Sequence, residues 1–557
     1  MFELTVRAWG LARGSLSRIP TLAAMALLSL GAAFPAAASG PETLVDLVRS
    51  GQREAVLAAI TSPDIDIDAK EPDGSTALLW ATYKVDHELV RALLKAGAKA
   101  NVTSKYGSSP LTEAVKLGDV ELVRLLLDAG ADANSPNHDN QTALMLASSI
   151  GSLEIAKLLI GRRANVNAVE SFRGQTALMW AAAGNHPDVV DLLIARGANV
   201  KLRAKHDDWQ RQMTSEPRAQ YRQTGGLTAL LYATRSGCYR CAVAIVKAGA
   251  DVNQPNPDGI TPLINAIDNR SFDIAMFLLD QGANPGAWDM NGRTPLYVAV
   301  DMSSYRGGNG SGSGNFQGFG EPPGPPRPPS KATAMDLVER LLAMGVDPNH
   351  ELTRMRPNGN GRGRFADYMM RGGTGPLMLA TLNYDDAAIK TLLAHGAEVD
   401  LPNVFQITPL MAAAGMSGSA RGGIGSGIGR TDAQQVDIQA RVIKTIDLLL
   451  DAGANINARV IDSHTRTAKL TAYVQGRDHE GKTALFSAAE AGWDKVVKRL
   501  IERGADPAVR DAAGKTALDY ARSGPPAGPN PAAARAPDVA ASRAATVAFL
   551  ESLSPKS

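Results

Sequence analysis

The sequence predicts an all-α repeat solenoid, an array of paired antiparallel helices connected by β-hairpin finger loops. Two observations predict it: a short start motif recurs about every 33 residues, and a second apolar segment follows each start at a fixed distance. Self-similarity at this period is typical of stacked repeats, because each unit can bury its apolar face only against its neighbours. With 557 residues, 44% of them hydrophobic, the chain carries enough apolar surface for such a core.

The start motif has the general form G-x-T-A/P-L followed by alanine. It begins, with small variations, at residues 74, 107, 140, 174, 226, 259, 292, 373, 406, 481 and 514. A threonine before the apolar run suits a helix N-cap, and a proline directly after the cap suits the first helical position. These predicted caps are Thr76, Thr142, Thr176 and Thr261, and the predicted first-turn prolines are Pro110, Pro262, Pro295 and Pro409.

The second segment of each unit reads as in GDVELVRLLLDAGADANSPN at residues 118–137. Gly97, Gly130, Gly249 and Gly453 follow second helices, where a left-handed residue is preferred. Together the two segments resemble the ankyrin repeat over roughly residues 41–520. Alanine often replaces its proline, and Leu or Met its histidine. The resemblance implies stacked helix pairs and a default role in protein binding, with no catalytic residues and no cofactor.

The remaining segments complete the predicted organisation. Three arginines, an apolar run at residues 21–34 and the alanines before residue 39 indicate an export signal cleaved after Ala38, so we expect a periplasmic or secreted protein without membrane insertion. The predicted domains are a signal peptide at 1–38, an N-terminal capping repeat at 39–73, repeats at 74–300 with a finger insertion at 201–225, a Gly/Pro-rich insertion at 301–331, repeats at 332–522 with insertions at 351–372, 415–437 and 459–480, and a Pro/Ala-rich loop with a capping helix at 523–557.

Three of the insertions lengthen fingers and are rich in arginine and aromatic residues, the types enriched at binding hot spots. Net charge is +2 for the whole chain, and the first 38 residues account for it, so these fingers would form a local positive surface on a neutral protein. We therefore expect a protein partner and no nucleic acid, and the basic fingers favour an acidic partner. The candidate contact residues are Arg203, Trp209, Arg211, Tyr221, Trp288, Arg356, Arg364, Phe365, Tyr368 and Tyr473.

The two cysteines, Cys238 and Cys241, form a Cys-x-x-Cys pattern at the start of a predicted helix. In an oxidising compartment they would close as a local disulfide, although a helix N-terminus also favours a reactive thiolate. A thiol–disulfide protein therefore remains an alternative, as does a binder of an anionic polymer. Two sulfur ligands without a second pair fall short of a zinc site, the eight histidines are scattered, and the common catalytic motifs do not occur.

Overall fold

The computed structural model describes residues 43–206, 225–303, 329–352, 373–416, 438–461, 480–524 and 537–553. Within these segments the chain forms 24 α-helices and no strand, apart from isolated bridges such as the one between Arg203 and Thr228. The helices follow one another as twelve pairs, each consisting of a first helix, a short turn and a second helix. The predicted helical solenoid is confirmed, whereas the finger loops are tight turns rather than extended hairpins in the part described.

The first helices are α1 (Leu44–Ser50), α3 (Ala77–Tyr83), α5 (Pro110–Leu117), α7 (Ala143–Ile150), α9 (Ala177–Ala183), α11 (Ala229–Ser236), α13 (Pro262–Asp268), α15 (Pro295–Ser303), α17 (Pro376–Leu382), α19 (Pro409–Met411, continued as a π-helix to Met416), α21 (Ala484–Ala491) and α23 (Ala517–Ser523). The second helices are α2 (Arg53–Ala59), α4 (His87–Lys95), α6 (Val120–Asp128), α8 (Leu153–Gly161), α10 (Pro187–Ala195), α12 (Tyr239–Lys247), α14 (Phe272–Asp280), α16 (Ala334–Ala343), α18 (Asp386–Ala394), α20 (Ile438–Asp451), α22 (Asp494–Glu502) and α24 (Pro537–Leu553).

Side-chain caps fix where the first helices begin. The hydroxyl of Thr76 accepts a hydrogen bond from the backbone N–H of Leu79, and the other three predicted threonine caps make the equivalent bond. The four predicted prolines occupy the first helical position, where the missing N–H costs no helical bond. Gly130, which follows the second helix α6, adopts a φ of 87°, and this backbone conformation is strained for a residue with a side chain. The predicted threonine caps, first-position prolines and left-handed glycines are all confirmed.

One continuous hydrophobic core runs the length of the described array, from Leu44 to Leu550. Each first helix packs on the first helix before and after it, and the second helices form a parallel layer behind them. The same position of the repeat supplies the same core contact, as the buried Leu78, Leu144 and Leu178 show. The stability of each unit therefore depends on its immediate neighbours.

Charged side chains on or beside the second helices pair across the repeats. The pairs include His87–Asp119 at 2.8 Å, Arg240–Asp188 at 2.9 Å, Arg499–Asp447 at 2.9 Å, Arg91–Glu121 and Arg162–Asp128. Such solvent-exposed pairs contribute about 1 kcal/mol each at most. Many charges of this layer are thus already engaged within the molecule.

Neighbouring fingers are joined by a row of asparagines, which we call the carboxamide ladder. In each step, the Nδ2 of an asparagine donates to a backbone carbonyl of the next finger at 3.0–3.2 Å, and its Oδ1 accepts from a backbone N–H two residues further on at 2.6–3.0 Å. The ladder residues are Asn101, Asn134, Asn167, Asn253, Asn349 and Asn457. Both halves of the carboxamide are used, so the fingers are held at a fixed spacing.

Candidate protein-binding surface

A buried polar side chain closes the turn of several fingers. In the finger between α8 and α9, the buried carboxylate of Glu170 accepts hydrogen bonds from the backbone N–H groups of Phe172 at 2.6 Å, Arg173 at 2.7 Å and Gln175 at 2.9 Å. Buried Asn256 and Asp289 close later turns in the same manner. The turn backbone is therefore fixed before any ligand arrives.

Three of these fingers present an aromatic side chain to solvent, and we call Tyr106, Phe172 and Trp288 the finger aromatics. They are 73%, 74% and 61% exposed. The finger of Tyr106 is hydrogen-bonded to the preceding finger, because the N–H of Lys105 donates to the carbonyl of Asp73 at 2.7 Å. Exposed aromatic rings on a rigid backbone can supply large contact area at a low entropic cost, which is characteristic of binding hot spots.

Trp288 has the most elaborate surroundings of the three. Its indole ring stacks on the ring of His350, with the centroids 6.0 Å apart and the planes 28° from parallel. Nε2 of His350 is buried and has no hydrogen-bond partner among the described residues. Next along the chain, burial and the neighbouring Glu398 carboxylate raise the pKa of Glu351. The exposed ring of Trp288 thus lies against a histidine of the following finger whose buried Nε2 has no partner among the described residues.

The sequence-predicted contact residues fall mainly outside the described segments. Arg203 and Trp288 lie within them. Arg203 donates a hydrogen bond to the backbone carbonyl of Pro255 in the following finger, so its guanidinium already bridges two fingers. Trp288 is exposed, as described above. The structure describes none of the others, which are Trp209, Arg211, Tyr221, Arg356, Arg364, Phe365, Tyr368 and Tyr473.

Sequence reasoning missed Tyr106 and Phe172. Both lie in short, regular fingers rather than in insertions, so the composition of the long loops gave no indication of them. The available signal was their position: each stands in a finger turn one or two residues before Gly107 or Gly174, whose positive φ marks the turn. A large aromatic ring at this solvent-facing turn position cannot contribute to the core.

Cys238 and Cys241 are joined by a disulfide with a Cα–Cα distance of 5.2 Å. Both residues are buried, and Sγ of Cys238 accepts a hydrogen bond from the N–H of Cys241 at 3.2 Å, which caps α12. A sulfur at such a site is shielded from attack by a substrate thiolate. The geometry suits a structural link within one repeat.

A buried ion cluster joins the seventh and eighth helix pairs. The guanidinium of Arg293 pairs with Asp289 at 2.7 Å and with both oxygens of Asp268 at 3.0 Å. Burial raises the pKa of Asp268, and Asp289 and Asp301 act in the same direction against Arg293. Although burial opposes it, the carboxylates raise the pKa of Arg293, so it stays charged. All three side chains are saturated by one another, which favours a structural role.

The described segments offer neither a cluster of metal ligands nor a membrane-spanning helix. They contain no group of three or more His, Cys, Asp or Glu side chains arranged to hold a metal ion. None of their helices has the length and apolar character needed to cross a membrane.

The chain is similar to several known proteins over limited stretches. A stretch of 195 residues, 35% of the chain, is 29% identical to the human protein named mitochondrial disaggregase and covers 24% of it. Stretches of 56 and 47 residues, 10% and 8% of the chain, are each 45% identical to palmitoyltransferase AKR1 of Lachancea kluyveri and Saccharomyces cerevisiae, covering 8% and 6% of those proteins. The chain thus spans under a quarter of each relative's length, and the activities named there stay with those proteins.

Two family profiles match the chain. One, described as ankyrin repeats (3 copies), matches residues 44–137, 116–204 and 230–307. The other, described as ankyrin repeats (many copies), matches residues 485–524. Together they cover about half of the chain. Because both describe the same repeat and fall on the helix pairs seen in the structure, the chain belongs to the ankyrin-repeat family.

Proposed function

We propose that this protein is an exported scaffold that binds a protein partner along its finger edge and concave face. The observation that carries the proposal is the row of finger aromatics, each exposed on a turn whose backbone is fixed by hydrogen bonds. A preformed surface loses little conformational entropy on binding, so contact energy from the rings is largely retained as affinity. Ankyrin repeats provide a protein-binding scaffold. The finger edge as the contact surface and the acidic character of the partner are our proposals.

The basic finger insertions extend this surface and favour an acidic partner. Of their candidate residues, Arg203 lies in the described segments, and its bond to Pro255 keeps its positive charge at the finger edge. The second helices offer less free charge, since many of their ionic groups pair across repeats. Thiol–disulfide exchange is disfavoured by the burial of Cys238 and Cys241, and an anionic polymer would be recognised by binding that falls steeply with salt.

Replacing Tyr106, Phe172 and Trp288 together by alanine should abolish specific partner capture. A photo-crosslinking amino acid at Arg173, beside Phe172, should form a discrete protein adduct when the full chain is expressed in its own host, and the triple variant should lose that adduct. With the purified partner, the triple variant should bind at least about 30-fold more weakly, since a single hot spot contributes about 2 kcal/mol.

The matched control places the same crosslinker at Lys157, an exposed residue of α8 in the layer of second helices. No adduct is expected there. An equally strong adduct at Lys157, or an adduct at Arg173 that survives the triple substitution, would show that the finger aromatics do not form the binding surface. Circular dichroism should show unchanged helix content in the triple variant, because all three rings are exposed.

The export part of the proposal has its own measurement. Protein recovered from the host's envelope or medium should begin at Ser39, because the alanines before it match a signal-peptidase site. N-terminal sequencing checks this directly. Replacing Ala36 and Ala38 by arginine should leave an unprocessed precursor, and a wild-type protein that retains residues 1–38 in the cytoplasm would refute export.

A further inference from the structure

Asparagine does not stand at every ladder position: Asp68, Lys201 and Asp400 replace it in other fingers, and at Gly286, in the finger that carries Trp288, there is no side chain at all. Gly286 stands where Asn253 stands in the previous finger and Asn349 in the next. Its backbone follows the same turn, because its N–H donates to Oδ1 of Asn284 at 2.9 Å, just as the N–H of Asn253 donates to Asp251 at 2.8 Å. The glycine lacks the side chain that would reach the next finger.

The two backbone groups that this side chain would satisfy lie in the following finger. By analogy with the Asn253 step, which uses the carbonyl of Gly282 and the N–H of Asn284, they are the carbonyl of Gly345 and the N–H of Asp347. Among the described residues, no hydrogen bond engages either group. One acceptor and one donor are therefore left at the spacing that the carboxamides of the intact steps bridge.

A cavity of about 250 Å³ lies beside Gly286. Its lining includes Pro285, Gly286, Met344, Gly345, Asp347 and His350. His350 lines this cavity, and its ring stacks on the exposed ring of Trp288. A second cavity, of about 490 Å³, lies beside Asn101. It differs from the cavity at Gly286 because the carboxamide of Asn101 is present and hydrogen-bonded to the next finger.

We infer that the Gly286 gap is a recognition slot for a carboxamide side chain, an asparagine or glutamine presented by the protein partner. A primary carboxamide carries its acceptor and its donors on one carbon, so it can accept from the Asp347 N–H and donate to the Gly345 carbonyl at once, as the internal asparagines do. A carboxylate cannot donate to the carbonyl, and an alanine can do neither. Trp288 then packs against the residues that flank the guest side chain. This inference deepens the proposed partner-binding role and has a test of its own.

The test uses capped peptides as probes and Trp288 as the reporter. In full-length protein labelled with 5-fluorotryptophan, the Trp288 fluorine resonance is assigned by its loss in Trp288→Phe. Acetyl-Gly-Asn-Gly-N-methylamide should shift this resonance saturably at millimolar concentration, whereas the same peptides with Asp or Ala in the centre should not. An equal response to all three peptides would overturn carboxamide recognition.

The decisive variant is Gly286→Asn, which supplies the missing side chain. It should fold, because a Cβ at this position meets only Oδ1 of Asn284 at 3.7 Å and Gly286 does not have a positive φ. We expect it to abolish the response to the asparagine peptide and to slow hydrogen exchange at the Asp347 amide at least tenfold. A Gly286→Asn variant that binds the peptide like the parent, or a parent whose Asp347 amide is already strongly protected, would refute the slot.

The matched control is Asp400→Asn, which repairs the ladder at another finger. Oδ2 of Asp400 accepts from the N–H of Asn455 at 2.8 Å, but its buried Oδ1 has no hydrogen-bond partner among the described residues. By analogy with the intact steps, an asparagine Nδ2 here could donate to the carbonyl of Gly453. Both Asp400→Asn and Gly286→Asn should raise the melting temperature, because each adds a ladder bond between fingers. Asp400→Asn should leave the peptide response intact. Loss of the response in both variants would mean that ladder rigidity, not an open slot, governs it. Failure of the peptide test alone would leave partner crosslinking at Arg173 unaffected, so the two proposals fail separately.

Discussion

Replacing Arg293 by methionine is expected to lower the free energy of unfolding by about 3–5 kcal/mol. The side chain is 7% exposed and is the common partner of Asp268 and Asp289, which are 8% and 1% exposed. Methionine leaves two buried carboxylates without a counter-charge. Burial already raises the pKa of Asp268, so the loss should be smaller at pH 5 than at pH 8, because protonation removes buried charge. Urea denaturation followed by circular dichroism at both pH values measures it.

Arg340→Met is the matched control, because it removes an arginine–aspartate pair that joins the same two repeats at the surface. Arg340 and its partner Asp280 are 36% and 54% exposed, so water can replace the lost contact. The expected loss is below about 1 kcal/mol. If the two variants lost the same free energy, burial would not be what makes the Arg293 cluster important. Asn at both aspartates together with Arg293→Met should recover much of the loss, since no buried charge then remains.

The repetitive part of the fold could be predicted because each position of the repeat meets the same surroundings in every unit. A leucine at the position of Leu78 faces a neighbouring first helix, and most of the threonines before it cap that helix, with Thr483 as an exception. Many repeats therefore point to the same interpretation. The positions of the helices and of their caps could therefore be predicted directly from the repeated motif. The fingers were less well predicted, because their backbone is closed by single side chains such as Glu170 and not by a strand pattern that the sequence displays.

Features that break the repeat could not be predicted from any one unit. The basic residue before the capping threonine illustrates the difficulty. At this position Arg293 is buried in an ion cluster, whereas Lys482 places its Nζ 4.1 Å from the ring centroid of Tyr520. The local motif is nearly identical, and the difference arises from what the adjacent repeat supplies: Asp268 in one case and an aromatic ring in the other.

Two of the three finger aromatics, Tyr106 and Phe172, were missed for a similar reason. Loop length and composition drew attention to the insertions, but exposure depends on where a turn holds a side chain, and Phe172 belongs to a finger of ordinary length. The Gly286 gap carries even less local signal, because glycine is common in turns. It becomes visible only when the ladder residues of the other fingers are known to fill the corresponding space.

Replacing Phe486 by alanine is expected to cost about 3–5 kcal/mol and to act locally. Phe486 lies on α21, is 1% exposed, and packs edge-on against Tyr520 of α23 with the ring centroids 5.7 Å apart. The last helix pair packs on the pair containing α21, so the cavity weakens the contact on which it depends. Because a solenoid transmits stability through nearest neighbours, amides of α21, α23 and α24 should lose hydrogen-exchange protection while those of α5 to α10 keep theirs.

Phe172→Ala is the matched control, because it removes the same side chain from an exposed position. Its ring is 74% exposed, so the free energy of unfolding should change by less than about 0.5 kcal/mol while partner binding weakens. Phe486→Ala should show the reverse, with binding retained at temperatures where the central repeats remain folded, because the finger aromatics lie between α4 and α15. Uniform loss of protection in Phe486→Ala would mean that the array unfolds as one unit. The finger edge would then depend on the C-terminal repeats, and stability and binding could not be separated.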